Sequence, residues 1–132
     1  MSTISTHVLD TVLGKPAPGV AVRLEKQDGG GWMEVTRNEG RPPWTERVED
    51  APDAWSEIAR SATDSDGRCR DLAKDLPAGV YRIVFHTASY LRGQGRVSIY
   101  PEVAITFTCD GEAHYHLPLL LSDNSYTTYR GS

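Results

Sequence analysis

The sequence predicts an all-β fold: an antiparallel sandwich of about seven or eight short strands with one short helix. Two observations carry this. Apolar and polar residues alternate in short runs, as where Val20, Val22 and Leu24 interleave with Ala21, Arg23 and Glu25. That period of two gives a strand one buried face and one wet face. Between the runs lie clusters of turn formers, such as Gly14-Lys15-Pro16-Ala17-Pro18-Gly19, Thr63-Asp64-Ser65-Asp66-Gly67-Arg68 and Ser122-Asp123-Asn124. A chain of 132 residues fits a single domain, 1–132, large enough to fold around one core without a covalent staple.

The first strand is read over residues 3–10, with Ile4, Thr6 and Val8 on one face and Ser5, His7 and Leu9 on the other. A second runs from Val20 to about Lys26 and is broken by Asp28-Gly29-Gly30-Gly31. Trp32 to Thr36 has the composition of a short strand. The rest of 33–54 reads as a loop insertion, with Gly40-Arg41-Pro42-Pro43-Trp44 followed by an acidic run. It is either a flap docked through Trp44 or a surface excursion. Regular structure returns from Trp55 to Ala62. A turn ends at Arg68, and a short connection passes Leu72 and Leu76. Val80 to His86 forms a strand with Tyr81, Ile83 and Phe85 on one face. Thr87 to Arg92 is the one helical stretch, with Gly93 as its expected left-handed stop. Val103, Ile105, Phe107 and Cys109 mark a further strand, and Asp110-Gly111 signals a hairpin into the strand that starts at His114.

Charge and composition exclude some classes. The net charge of −4 argues against a nucleic-acid surface. No apolar run nears the ~20 residues of a membrane span. The opening MSTISTHVLD has neither a basic nor an apolar signal region, and the end is not Ser-Lys-Leu, so the expected location is cytoplasmic. Cys69, in a turn-like segment, and Cys109, ending a strand, have no zinc spacing and are expected as reduced thiols.

Chemistry concentrates at the end of the chain, HYHLPLLLSDNSYTTYRGS. In a strand His114 and His116 share one face, while Tyr115, Leu117 and Leu119 take the other. Two adjacent imidazoles suit acid–base work or metal binding, or are ordinary surface histidines. His7 with His114 and His116 would also make a three-imidazole zinc set. Arg68 is either an exposed cation or a fixed fork for an anionic or carbonyl-rich ligand. His86 reads as structural. No phosphate loop, Cys-x-x-Cys pair or nucleophile elbow is present.

Taken together, Ser5-Thr6-His7-Val8-Leu9-Asp10, Thr63 to Arg68, Tyr100-Pro101-Glu102-Val103, His114 to Leu121 and the terminal Tyr129-Arg130-Gly131-Ser132 resemble the 5-hydroxyisourate hydrolases of the transthyretin-like family. The resemblance spans nearly the whole chain outside 33–54. It implies a transthyretin-like (prealbumin-like) sandwich assembled as a homotetramer, a dimer of dimers, with sites in a channel between dimers and no metal or other cofactor. The implied activity is hydrolysis of 5-hydroxyisourate to 2-oxo-4-hydroxy-4-carboxy-5-ureidoimidazoline in urate breakdown. Carried over by motif, the catalytic residues are His7, Arg68 and His116. His7, Arg68, Tyr129 and Ser132 bind substrate, and His114 stays outside the chemistry. The alternative is a transthyretin-like small-molecule carrier. The insertion at 33–54 departs from the family pattern, and Trp32 and Trp55 are both candidates for the tryptophan that the family carries there.

Overall fold

The computed structural model describes residues 1–28 and 54–132, together with the backbone of two strands between them, Trp32–Arg37 and Trp44–Glu49. The elements in order are β1 (Ser2–Asp10), β2 (Lys15–Pro16), β3 (Ala21–Asp28), β4 (Trp32–Arg37), β5 (Trp44–Glu49), β6 (Ala54–Ala62), β7 (Arg68–Leu76), β8 (Gly79–Phe85), α1 (Thr87–Gly93), β9 (Val103–Cys109), β10 (His114–Leu121) and β11 (Tyr126–Thr128). One sheet has the order β11-β10-β1-β2, with β7 also paired to β1. The other has the order β6-β3-β8-β9.

The expected sandwich is present, and its core follows the alternation in the sequence. Ile4 and Val8 of β1, Val22 and Leu24 of β3, Tyr81, Ile83 and Phe85 of β8, and Leu119 of β10 are all 0% exposed. Apolar faces of both sheets thus meet in one continuous core. Where the expected loop insertion lies, β4 and β5 pair antiparallel from Trp32 opposite Glu49 to Arg37 opposite Trp44. A docked Trp44 side chain lies outside the described residues.

Four local expectations are corrected. Asp110-Gly111 does not close a hairpin, because β9 and β10 belong to different sheets. Asp110 instead accepts the amides of Glu112 and Ala113 at 2.8 and 2.9 Å, which makes a turn that crosses between layers. The segment through Leu72 and Leu76 is a strand, not a connection, and its bulged pairing with β1 hid the alternation. Cys69 is therefore a buried strand residue and not part of a turn. The left-handed stop after α1 is Gly95, at φ 71°, two residues beyond the expected Gly93.

One pairing departs from the antiparallel pattern. β1 and β10 run parallel, from Thr3 opposite His114 to Asp10 opposite Leu121. A buried ionic cluster closes the lower end of this pair. Asp10, wholly buried, takes Arg96 at 2.5 Å and the Tyr90 hydroxyl at 2.8 Å. Arg96 also reaches Asp123 in the β10–β11 turn at 2.6 Å. No helix among the described residues is long and apolar enough to cross a membrane.

Candidate active site on the outer face of the β1–β10 sheet

β1 turns Ile4 and Val8 inward, so Thr3, Ser5 and His7 stand on the opposite face. β10 buries Tyr115, Leu117 and Leu119, so His114 and His116 stand outward. The parallel register then sets Thr3 beside His114, Ser5 beside His116 and His7 beside Pro118. The period-two patterns fixed both faces in advance, and the pairing of β1 with β10 merges them into one surface.

A single hydroxyl joins the two imidazoles of the H-x-H pair. Ser5 Oγ lies 2.8 Å from His116 Nδ1 and 3.0 Å from His114 Nε2. The other nitrogen of His114, Nδ1, is hydrogen-bonded to Thr3 Oγ1. Ser5 is 6% exposed although it lies on the outer face, because the two rings cover it.

Arg68 arrives from the opposite edge of β1, paired with His7 in an antiparallel register. The turn before it is held closely. Asp64 Oδ1 accepts the amides of Asp66 at 2.8 Å and Arg68 at 3.0 Å, and those amides hold the Asp64 carboxyl below its ordinary range. Gly67 has φ +75°, and its carbonyl accepts the Val8 amide at 2.7 Å. A Cβ at Gly67 would sit 2.4 Å from the Val8 carbonyl oxygen. The Asp-Gly-Arg turn is thereby fastened directly to β1, and glycine is required at its centre.

The end of the chain folds back over the same surface. β11 pairs with β10, and after it the Gly131 amide donates to the His116 carbonyl at 2.8 Å. The Arg130 guanidinium stacks 4.3 Å over the ring of Tyr115, a cation–π contact that helps fix the terminus. Ser132 then lines a recess of about 270 Å³ with Ser5, Thr6, Arg68, Arg70, His114 and His116.

The electrostatics of the recess are basic. Burial lowers the pKa of His116, and the neighbouring Arg68, His7 and His114 lower it further. His116 is therefore neutral at neutral pH, as a general base must be. Among the described residues no three His, Cys, Asp or Glu side chains are grouped as metal ligands.

Of the five residues expected at the site, Arg68, His116 and Ser132 line the recess. His7 adjoins it through its pairing with Arg68, and its Nε2 is buried with no hydrogen-bond partner. Tyr129 is 53% exposed and is not among the lining residues. His114, expected to stay outside the chemistry, is part of the lining, as are Ser5, Thr6 and Arg70. Strand period alone would have found Ser5 from His7 and Arg70 from Arg68, each two residues away on the same face.

The HIUase/Transthyretin family model matches residues 4–131. The chain is 38% identical over 134 residues to the 5-hydroxyisourate hydrolase of Mus musculus, covering 99% of this chain and 96% of that one. Its fold superposes on the 5-hydroxyisourate hydrolase of Klebsiella pneumoniae with a TM-score of 0.75 and 32% identity, covering all of both chains. The transthyretin of Sparus aurata superposes with a TM-score of 0.77 and 30% identity, over 98% of this chain and 96% of that one. With its fold, its H-x-H strand and its terminal tetrapeptide accounted for, this chain belongs to the HIUase/Transthyretin family.

Proposed function

We propose that this protein hydrolyses 5-hydroxyisourate, opening one ring amide to give 2-oxo-4-hydroxy-4-carboxy-5-ureidoimidazoline. The observation that carries the reading is the meeting of Arg68, His116 and Ser132 in one recess, with His7 beside it. Curated relatives named 5-hydroxyisourate hydrolase support hydrolysis over carriage. A carrier has no need of a neutral histidine next to two arginines.

In the proposed reaction water attacks the amide carbonyl carbon. His116 takes a proton from that water as general base. Arg68, with Arg70 also in the lining, stabilises the developing oxyanion, and Arg68 orients the planar ring through its fork of donors. The C–N bond breaks, and the leaving ring nitrogen receives a proton from the histidine. His7 Nε2, buried and unpartnered, is assigned to a polar atom of the substrate. Ser132, in the same lining, is assigned to hold the ring.

The reaction is proposed to need no metal, because both ring nitrogens of His114 are already hydrogen-bonded, to Thr3 and to Ser5, which leaves the three-imidazole set one ligand short. A homotetramer is proposed because the recess is open on a sheet face and Tyr129 stands exposed beside it, so a facing subunit would complete the substrate contacts. A cytoplasmic location is supported by two free thiols, Cys69 and Cys109. The insertion at 33–54 is proposed to leave this site unchanged, because the strands on either side of it, β3 and β6, pair with each other, and His7 stands opposite Arg68.

The test is to generate 5-hydroxyisourate from urate with urate oxidase and follow its ultraviolet decay. Acceleration over the spontaneous rate that survives a chelator, and is lost in His7→Ala and Arg68→Ala, is the expected result. Loss of acceleration on chelation would put a metal in its place. No acceleration by the folded tetramer would turn the reading to ligand binding.

A further inference from the structure

We infer that Ser5 and His114 are positioning residues for His116: through the chain Thr3–His114–Ser5–His116 they select its tautomer and couple it to solvent. The inference rests on the hydrolase reading of the same recess.

The geometry restricts the protons. Ser5 Oγ is within hydrogen-bond distance of both His116 Nδ1 and His114 Nε2, at 2.8 and 3.0 Å. A hydroxyl has one proton to donate, so one ring nitrogen must accept from Ser5 and the other must donate to it. Only two arrangements of the neutral chain satisfy every partner. In the first, His116 Nδ1–H donates to Ser5, Ser5 donates to His114 Nε2, and His114 Nδ1–H donates to Thr3 Oγ1. His116 Nε2 then carries a lone pair and is the base. In the second, every donor is reversed, and His116 Nε2 carries a hydrogen and cannot accept one from water.

The exposures give the chain a direction. His116 is half-buried and His114 is exposed, so the solvent end is His114. When His116 Nε2 takes a proton from water, its Nδ1 proton can pass to Ser5 while the Ser5 proton passes to His114 Nε2. The chain then holds one proton more, the one taken from water, and the positive charge it brings rests on His114. The reverse shift returns a proton to His116 for the leaving nitrogen.

The same chain makes the base sensitive to pH. Protonating His114 from solvent makes its Nε2 a donor to Ser5. Ser5 must then donate to His116 Nδ1, which forces the second arrangement. The base is switched off while His116 itself remains neutral. The other charged or titratable groups facing the pair are His7 on β1 and Arg68 and Arg70 on β7, with Ser132 from the chain end.

The experiment is long-range ¹H–¹⁵N spectroscopy of the histidines in the wild-type protein across pH, followed by Ser5→Ala, Ser5→Thr and His114→Gln with kcat profiles. The expected result is His116 carrying its hydrogen on Nδ1 at neutral pH and moving it to Nε2 as His114 titrates. Ser5→Ala should lose this preference and about tenfold or more in kcat, Ser5→Thr should recover it, and His114→Gln should remove one ionisation from the acid limb. A His116 tautomer that ignores the titration of His114, or an acid limb unchanged in His114→Gln, overturns the inference. The wild-type spectra need no variant to fold and no turnover. Their result therefore stands apart from a failure of the hydrolase reading, which would show as no acceleration by the wild type.

Discussion

Gly131 lies directly against the ring of His116. Its amide donates to the His116 carbonyl at 2.8 Å, and a Cβ built on it would fall 2.6 Å from His116 Cδ2. The glycine of the terminal Tyr-Arg-Gly-Ser is there because nothing larger fits beside the imidazole. Gly131→Ala is expected to tilt the ring or lift the terminus. Either movement should lower kcat about tenfold or more, since small displacements of a catalytic group are costly. Thermal stability should change little, because the terminus contributes few core contacts. An unchanged kcat in the assay of hydroxyisourate decay would show that the ring is not held by the backbone over it.

Arg68 acts on His116 through its charge, apart from the contact with substrate proposed for it. Burial is the larger cause of the lowered His116 pKa, and Arg68 is the next. Removing the cation in Arg68→Ala should therefore raise the His116 value. The acid limb of the kcat profile should move to higher pH, and kcat/KM should fall by about a hundredfold. Arg68→Lys should restore the position of the acid limb but not the full rate, because lysine offers a point charge in place of a planar fork. A pH profile of both variants separates the two roles.

The turn that carries Arg68 depends on Gly67. Its φ of +75° and the 2.4 Å approach of a Cβ to the Val8 carbonyl leave no room for a side chain. Gly67→Ala should cost at least about 2 kcal/mol from backbone strain and steric displacement together. Denaturant unfolding measures this. Activity should fall further than stability explains, because the displaced turn holds both Arg68 and the middle of β1.

Asp10 sets the acid stability of the fold. Burial would push its carboxyl up, but hydrogen bonds from Arg96, the Leu13 amide and Tyr90 outweigh it and hold it below its ordinary 3.8. The folded value lies below the unfolded one, so this stabilisation is full above about pH 4 and is lost as pH falls through the folded value. Tyr90, raised to about 12 by burial and by Asp10, stays neutral throughout. Asp10→Asn leaves Arg96 without its closest partner and should cost about 3 kcal/mol at neutral pH. The difference from wild type should shrink in acid, as melting curves at pH 7 and pH 3 would register.

The sequence by itself determined which residues face outward together on each strand. Ser5 with His7, and His114 with His116, follow from a backbone period of two, which needs no tertiary contact. The turns at Thr63–Arg68 and Ser122–Asn124 were legible for the same local reason: their side chains bond their own backbone. The bulged β7, the crossover at Asp110-Gly111 and the stop at Gly95 were not legible, because each depends on which strand or layer lies alongside. The tertiary structure alone decided that β10 runs parallel to β1, and so that Ser5 lies under both imidazoles and Gly131 over one of them. Pairing partners 111 residues apart in the chain, as Ser5 and His116 are, are selected by the fit of two apolar faces in one core. No window of local sequence carries that choice.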